Sequence, residues 1–163
     1  MSIQKNIESI QSQPKQIKSV VFKIAGYFFA LPLTAVEKIT LLPSETDSSN
    51  PNLINFDNRT ITIINLNPHL TTTNKKQDNK KIAEKFLIIT QTNQRETCGI
   101  IADQIPNLVN LPWSSIEQLS PSYRQHQILG LASYVSVLPT QIGKKLIFLL
   151  DLERAQHVAL TNL

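Results

Sequence analysis

Few side chains in this sequence could perform covalent or metal chemistry, and their spacing argues against both. The three histidines, His69, His126 and His157, lie far apart, and none stands at a metal-ligand spacing from the single cysteine or from a carboxylate. Cys98 lies in an apolar run beside Gly99, where a thiol is typically a small core side chain and not a nucleophile. We therefore expect neither a metal site nor a catalytic cysteine.

Phosphate and acid–base chemistry have no better support. The glycines are isolated from one another, so the sequence contains no glycine-rich loop that could cradle phosphates. Asp103 and Glu117 have no second carboxylate at a spacing that indicates catalysis, and a capping or surface role is the simpler interpretation. The sequence therefore predicts no cofactor and favours an interaction module over an enzyme.

The composition is typical of a globular protein. Of the 163 residues, 41% are hydrophobic and 17% are charged, and the length allows one substantial core. The apolar runs are too short to cross a membrane, no signal-peptide pattern opens the chain, and a single cysteine fits a reducing compartment. We expect a cytoplasmic protein. The net charge of +4 leaves nucleic acid, an acidic partner or a membrane surface open, although much of the excess lies in a polar, lysine-rich connector.

Short strand patterns, separated by turns, must position any functional residue. Residues 1–18 form a polar stretch that we expect to be a flexible tail, although isoleucines at i, i+4 and i+7 within it could form one face of a short helix. Strand patterns over about 19–70 predict a first barrel, and a low-complexity linker follows at about 71–82. A second barrel is expected at about 83–144, with a closing strand and helix over 145–160.

The most informative stretch reads as strand, tight turn and strand. Apolar residues at 53–56 lead into Asp57 and Asn58, which tolerate turn geometry, and a β-branched run at 61–64 then favours a buried strand. The terminal helix has its own start signal, because Asp151 is a suitable N-cap.

The two halves of the chain resemble each other. Residues 36–43 correspond to 103–112, and residues 63–66 correspond to 149–152. Short strands at close spacing, repeated once, indicate two small antiparallel barrels that share one core. The predicted fold class is therefore all-β with minor helix.

The order of these motifs also resembles a known family. The matching segments are 22–24, 29–33 with Val36 and Ile39, 54–56, 61–66, 98–103 with Ile105, and 146–153. Each motif is weak alone, but their order and spacing from residue 20 to about 158 resemble the CheW-like domain, the adaptor of bacterial chemosensory arrays. The resemblance implies two five-stranded SH3-like barrels with a hydrophobic groove between them, and no catalytic residues.

The resemblance also implies partners. A CheW-like adaptor couples the cytoplasmic tips of methyl-accepting receptors to the regulatory domain of a CheA-type histidine kinase, can associate with other CheW-like domains, and is recruited to membrane receptor arrays. By this resemblance, the kinase-facing residues are Val36, Lys38, Ile39, Asp57 and Asn58. The residues near the receptor groove are Leu33, Cys98 and Gly99.

Two positions depart from the family pattern. The family usually has Asn-Leu-Arg-Gly where this chain has Asn55-Phe56-Asp57-Asn58, and an acidic residue where this chain has Lys38. If Lys38 and Asp57 lie close together, they form a salt bridge of reversed polarity. One interpretation is a diverged adaptor with its own cognate kinase or receptor, and the other is drift at an exposed site.

A small-barrel nucleic-acid-binding protein is the alternative from another functional class. Such barrels place aromatic residues on a basic face. Tyr27, Phe28 and Phe29 are adjacent and so alternate across a sheet, and the lysine cluster lies elsewhere in the sequence. Both points count against this alternative. We expect Trp113, which follows a proline, to pack its loop onto the barrel and not to anchor a partner.

Overall fold

The structure of the chain, a computed structural model, describes residues 15–43, 50, 52–66, 84–125 and 129–161. The linker predicted at 71–82 and the isoleucine pattern in the first fourteen residues lie outside the described residues. The first strand begins at Gln16, so its first three residues belong to the stretch 1–18 that was expected to be a tail; Gln16 already pairs with Pro112.

The described residues form eleven strands and two α-helices. The strands are β1 (Gln16–Ile24), β2 (Tyr27–Pro32), β3 (Val36–Leu41), β4 (Leu53–Phe56), β5 (Arg59–Ile64), β6 (Phe86–Gln91), β7 (Thr97–Ala102), β8 (Asn107–Pro112), β9 (Ile116–Gln118), β10 (Ala132–Thr140) and β11 (Gly143–Leu150). The helices are α1 (Pro121–Arg124) and α2 (Leu152–Thr161), and short 3₁₀ turns occupy Leu33–Ala35, Trp113–Ser115 and Leu129–Leu131.

The strands form two sheets, and each sheet contains one hairpin from the other half of the chain. One sheet has the order β8-β1-β2-β11-β10-β9, and the other has the order β3-β6-β7-β5-β4. The first hairpin, β1–β2, therefore joins strands from the second half, while β6–β7 joins strands from the first half. The sequence predicted one barrel on each side of the linker, and the strand pairing differs from that division.

The internal repeat is visible in the topology. In each sheet an antiparallel hairpin lies beside one parallel pair, β2 with β11 in one sheet and β7 with β5 in the other. The strands β3 and β8 are equivalent, as are β5 and β11, because they hold the same positions relative to their hairpins. These are the segments whose sequences correspond.

Three hydrophobic clusters show how the two sheets make one domain. The inner cluster of the five-stranded sheet contains Ile54, Ile61, Ile63, Leu87 and Ile89. The inner cluster of the six-stranded sheet contains Val21, Ala30, Leu111 and Ile147. The largest cluster draws on both sheets and on α2, with Phe22, Phe29, Ile64, Ile88, Ile100, Phe148 and Ala155 among its members. The fold class is confirmed: the protein is all-β, with two small SH3-like barrels that share a core and a C-terminal helix.

Two predicted local features are also confirmed. Asp57 (φ 50°) and Asn58 (φ 60°) both adopt left-handed backbone geometry between β4 and β5, which is what a two-residue hairpin turn requires. Asp151 caps α2, since its Oδ1 accepts a hydrogen bond from the Arg154 backbone N–H at 3.2 Å.

Candidate functional site

The kinase-facing residues predicted from the sequence lie where the five-stranded sheet closes on itself. Strand β3 forms one edge of this sheet and β4 forms the other. Lys38 Nζ on β3 lies 3.2 Å from Asp57 Oδ2 in the β4–β5 turn, so an ion pair spans the two edges. Lys38 and Asp57 therefore lie close enough to form the salt bridge of reversed polarity that the sequence allowed.

A second ion pair lies beside the first. Arg59 Nη2 donates a hydrogen bond of 2.7 Å to Glu37 Oε1. This hydrogen bond, together with the negative charge of Glu37, raises the pKa of Arg59 above its usual value. The two pairs balance each other in charge, and both are exposed.

A bulge explains why consecutive residues of β3 both reach the turn. In the pairing of β3 with β6, Val36 lies opposite Thr90 but Lys38 lies opposite Ile89, so Glu37 is the extra residue. Side chains of a regular strand alternate between its two faces, and a bulge breaks that alternation. Glu37 and Lys38 can therefore both form ion pairs with the β4–β5 hairpin.

The remaining contacts fix the lysine and present apolar surface. Lys38 Nζ also lies 4.8 Å from the centre of the Phe56 ring, a cation–π distance. Next to Lys38 in β3, Ile39 is 40% exposed, and Leu41, two residues beyond Ile39, is 53% exposed. We call the exposed part of this region the β3–turn surface; it comprises Glu37, Lys38, Ile39, Leu41, Asp57, Asn58 and Arg59. Such a surface offers apolar contacts within balanced charges, which suits protein binding.

The residues predicted near a receptor groove do not meet on one surface. Leu33 is 40% exposed in the 3₁₀ turn after β2, whereas Cys98 has no exposed surface and Gly99 is buried. A Cβ added to Gly99 would lie 2.8 Å from Leu87 Cδ1 and 2.9 Å from Ile63 Cδ1, so this position admits only glycine without movement of its neighbours. Cys98 and Gly99 cannot touch a partner directly, and any role in a groove is indirect.

The environment of Cys98 makes it a core thiol. Burial raises its pKa, and the hydrogen bond with the Thr90 hydroxyl, at 3.1 Å from Sγ, opposes that shift in part. A raised pKa keeps the thiol neutral and unreactive at neutral pH. This agrees with the interpretation of Cys98 as a small core residue.

A groove does separate the two sheets close to Leu33. It has a volume of about 330 Å³ and lies between the end of β2, the β6–β7 turn and the start of α2. Its walls include Pro32, Ala35, Thr92, Asn93 and Leu152. A second cleft of about 260 Å³ continues past Pro32 and Leu150 toward Tyr134.

Other chemistry finds no support among the described residues. They contain no group of three or more histidine, cysteine, aspartate or glutamate side chains that could hold a metal ion. Asp103 has a capping role, because its Oδ2 accepts a hydrogen bond from the Ala25 backbone N–H at 2.8 Å. Phe29 is fully buried and Phe28 is half-buried, so these aromatic residues form no stacking platform for nucleic acid. No helix in the described part of the chain is long and apolar enough to span a membrane.

The sequence missed several features of the surface. Glu37, Leu41 and Arg59 were not singled out, although Ile39 and Leu41 follow the i, i+2 spacing of one strand face. The expectation for Trp113 was wrong in one respect: the indole is 55% exposed in its 3₁₀ turn, while its backbone N–H bonds to the Lys15 carbonyl.

Comparison with known proteins identifies the family. The model of the CheW-like domain matches residues 18–158. A crystal structure of the scaffolding protein TtCheW from Thermoanaerobacter tengcongensis is similar in fold, with a TM-score of 0.60 at 19% identity, over 86% of this chain and 88% of that one. A search of curated proteins found no significant match. Because the family model covers most of the chain, the protein belongs to the CheW-like domain family.

Proposed function

We propose that this protein is a non-catalytic adaptor that couples the cytoplasmic tips of methyl-accepting receptors to the regulatory domain of a CheA-type histidine kinase. The observation that carries the proposal is the match to the CheW-like domain over residues 18–158, a family of chemotaxis scaffolds. The described residues support it further, because they present exposed apolar side chains and a groove between the sheets.

The β3–turn surface is the proposed site for the kinase. Its exposed Ile39 and Leu41 can be buried against a partner, and the flanking ion pairs can form its polar rim. Val36 is half-buried against the shared core, so it supports this surface from below. The groove beside Leu33 is the proposed site for the receptor tip, and any effect of the buried Cys98 and Gly99 on it is proposed to be indirect, through the packing of β7.

The reversed ion pair is proposed to select the partner. An exposed pair such as Lys38–Asp57 stabilises a fold by only about 0–1 kcal/mol, so folding alone does not demand it. Like charges brought together at an interface, in contrast, cost roughly several kcal/mol. A kinase that faces an acidic residue and an arginine in most relatives would meet the opposite arrangement here, which favours a cognate kinase with matching charges.

Retention of purified kinase regulatory domains by the full chain tests this proposal. The kinases are those encoded by the same organism, and Asp57→Arg should weaken retention of the cognate domain by at least about tenfold, since it removes a matched charge and adds a like one. Adding Lys38→Glu should recover part of the loss if the two residues act as a pair. Glu117→Arg, the same change of charge at an exposed position in the other sheet, is the matched control.

The outcomes separate the two parts of the proposal. If no CheA-like domain is retained by the unmodified protein, the adaptor function is wrong. Retention that survives Asp57→Arg unchanged would instead leave the adaptor function in place and remove the β3–turn surface from the interface.

A further inference from the structure

The end of the six-stranded barrel carries positive charge for which the described residues supply no counter-charge. Lys145 Nζ lies 4.1 Å from the centre of the Phe28 ring, and Lys23 Nζ lies 5.5 Å from it. The pairing of β1 with β2 sets Lys23 opposite Phe28, and β11, which is parallel to β2, brings Lys145 beside them. Two ammonium groups thus share one aromatic ring. We call Lys23, Phe28 and Lys145 the lysine clamp.

No described carboxylate neutralises the clamp. Within the described residues, the ion pairs are Lys38–Asp57 and Arg59–Glu37, and neither involves the clamp. Asp103 reaches the adjacent β1–β2 turn, but its Oδ2 is engaged by the Ala25 backbone N–H at 2.8 Å. The remaining N–H donors of Lys23 and Lys145 are therefore available to a ligand.

The ring also prepares these lysines for binding. A lysine that binds a partner ordinarily loses side-chain freedom, which reduces the affinity. Here the aromatic ring already holds both side chains by cation–π contact, so less freedom remains to be lost. A carboxylate that approaches the clamp meets two positioned donors.

One exposed apolar side chain belongs to the hairpin that carries Lys145. Ile142, at the tip of the β10–β11 hairpin, is 100% exposed and precedes Lys145 by three residues. Leu146 and Tyr27 are also exposed, but each is the strand neighbour of a clamp residue and so lies on the opposite face of the sheet. The hairpin that supplies Lys145 thus offers one apolar side chain close in sequence to the clamp.

We propose that the lysine clamp, with Ile142 at the tip of the hairpin that carries Lys145, docks an acidic segment of a partner protein that also carries apolar side chains. Charge complementarity carries this assignment, because the clamp lacks a carboxylate and a partner can supply one. Phosphates could occupy the same cations, but one half-buried phenylalanine offers no series of stacking faces for bases. The clamp lies on the six-stranded barrel, so this contact is additional to the β3–turn surface and goes beyond the adaptor function proposed above.

A defined peptide tests the proposal on the full chain. The probe is a fluorescent twelve-residue peptide rich in glutamate with two leucines, measured by anisotropy at low and at high salt. The double variant Lys23→Gln, Lys145→Gln should weaken its binding by roughly fivefold for each ammonium removed. Lys18→Gln with Lys85→Gln changes the net charge equally at exposed positions and should leave binding within about twofold.

Further measurements test the apolar contact and nucleic acid as an alternative ligand. Ile142→Ser should weaken the leucine-containing peptide but not a version in which serine replaces both leucines. Circular dichroism and thermal melting confirm that each variant is folded. The proposal is overturned if the unmodified chain does not bind the peptide, if both double variants lose binding equally, or if a single-stranded oligonucleotide binds more tightly than the peptide and is lost with the clamp.

Discussion

Each barrel has a phenylalanine at one end with a lysine ammonium over its ring, but the two ends differ in charge. In the five-stranded barrel, Lys38 lies over Phe56 and also pairs with Asp57. In the six-stranded barrel, Lys23 and Lys145 lie over Phe28 and have no described carboxylate partner. The first end is neutralised within the chain, whereas the described residues supply no counter-charge at the second.

This difference predicts two kinds of recognition from one repeated architecture. The β3–turn surface has balanced charges, so binding there should depend on the pattern of charges and on the apolar contacts of Ile39 and Leu41, with a shallow dependence on salt. The lysine clamp should attract acidic segments from a distance and weaken steeply as salt rises. We therefore expect the two barrels to bind different classes of partner.

The largest expected effect tests whether the barrels are energetically one unit. Leu87→Ala empties a fully buried position inside the five-stranded barrel and should lower the free energy of unfolding by about 2–5 kcal/mol. Because the largest cluster joins residues of both sheets, urea should unfold the variant in one transition seen equally by circular dichroism and tryptophan fluorescence.

Leu111→Ala is the matched change inside the six-stranded barrel, at a position that is equally buried. It should give a loss of similar size and again one transition. Two separated transitions in either variant would show that the barrels unfold independently and that the shared cluster does not couple them.

Local signals in the sequence predicted much of the fold. The turn at Asp57 and Asn58, the cap at Asp151 and the buried run 61–64 each follow from short-range physics: tolerance of left-handed geometry, an oxygen for free N–H groups, and β-branched side chains in a sheet. The partners of each strand were harder to predict from the sequence, because the apolar pattern of β1 and β2 would allow their burial in either sheet. The exchange of hairpins is a property of the whole chain, and the division into a first and a second barrel missed it.

In the candidate site, too, the sequence indicated some contacts, whereas others depend on the pairing of strands that are distant in the chain. The resemblance to the family drew attention to Lys38 and Asp57, and the structure brings them to 3.2 Å. The second pair, Glu37 with Arg59, depends on the bulge in β3, and no residue in the sequence predicts that bulge. Lys23 and Lys145 are far apart in sequence, so only the parallel pairing of β2 with β11 reveals the clamp.

A smaller effect should come from making the two ends alike. Asp57→Asn removes the carboxylate that neutralises Lys38 and keeps a residue that tolerates the left-handed φ of 50°. In the Lys23→Gln, Lys145→Gln background, where the acidic peptide no longer has its clamp, this change should raise peptide binding about two- to fivefold. Recovery should stay below the level of the unmodified chain, because one ammonium replaces two.

Anisotropy with the same fluorescent peptide measures this gain. Asn58→Asp is the opposite control, since it adds an acid to the same turn and should give no increase. If Asp57→Asn also gives no increase, then the missing carboxylate is not what distinguishes the two ends.

The smallest expected effect at neutral pH concerns the cluster between the barrels, where Cys98 lies. Burial raises the pKa of its thiol in the folded protein above the pKa in the unfolded chain. At a pH between these two values the thiol is deprotonated in the unfolded state but still protonated in the folded state. The stability that this group contributes is complete below the unfolded pKa and is lost as the pH rises through the folded pKa.

Urea titrations from about pH 7 to 10 should show a steeper loss of unfolding free energy for the unmodified chain than for Cys98→Ser. The serine hydroxyl can keep a hydrogen bond with Thr90 but does not titrate in this range. Equal slopes for the two proteins would contradict a buried, protonated thiol, and so would alkylation by iodoacetamide as fast in the native chain as in urea. Since both barrels contribute to this cluster, the pH-dependent loss must appear in the same single transition that Leu87→Ala and Leu111→Ala report.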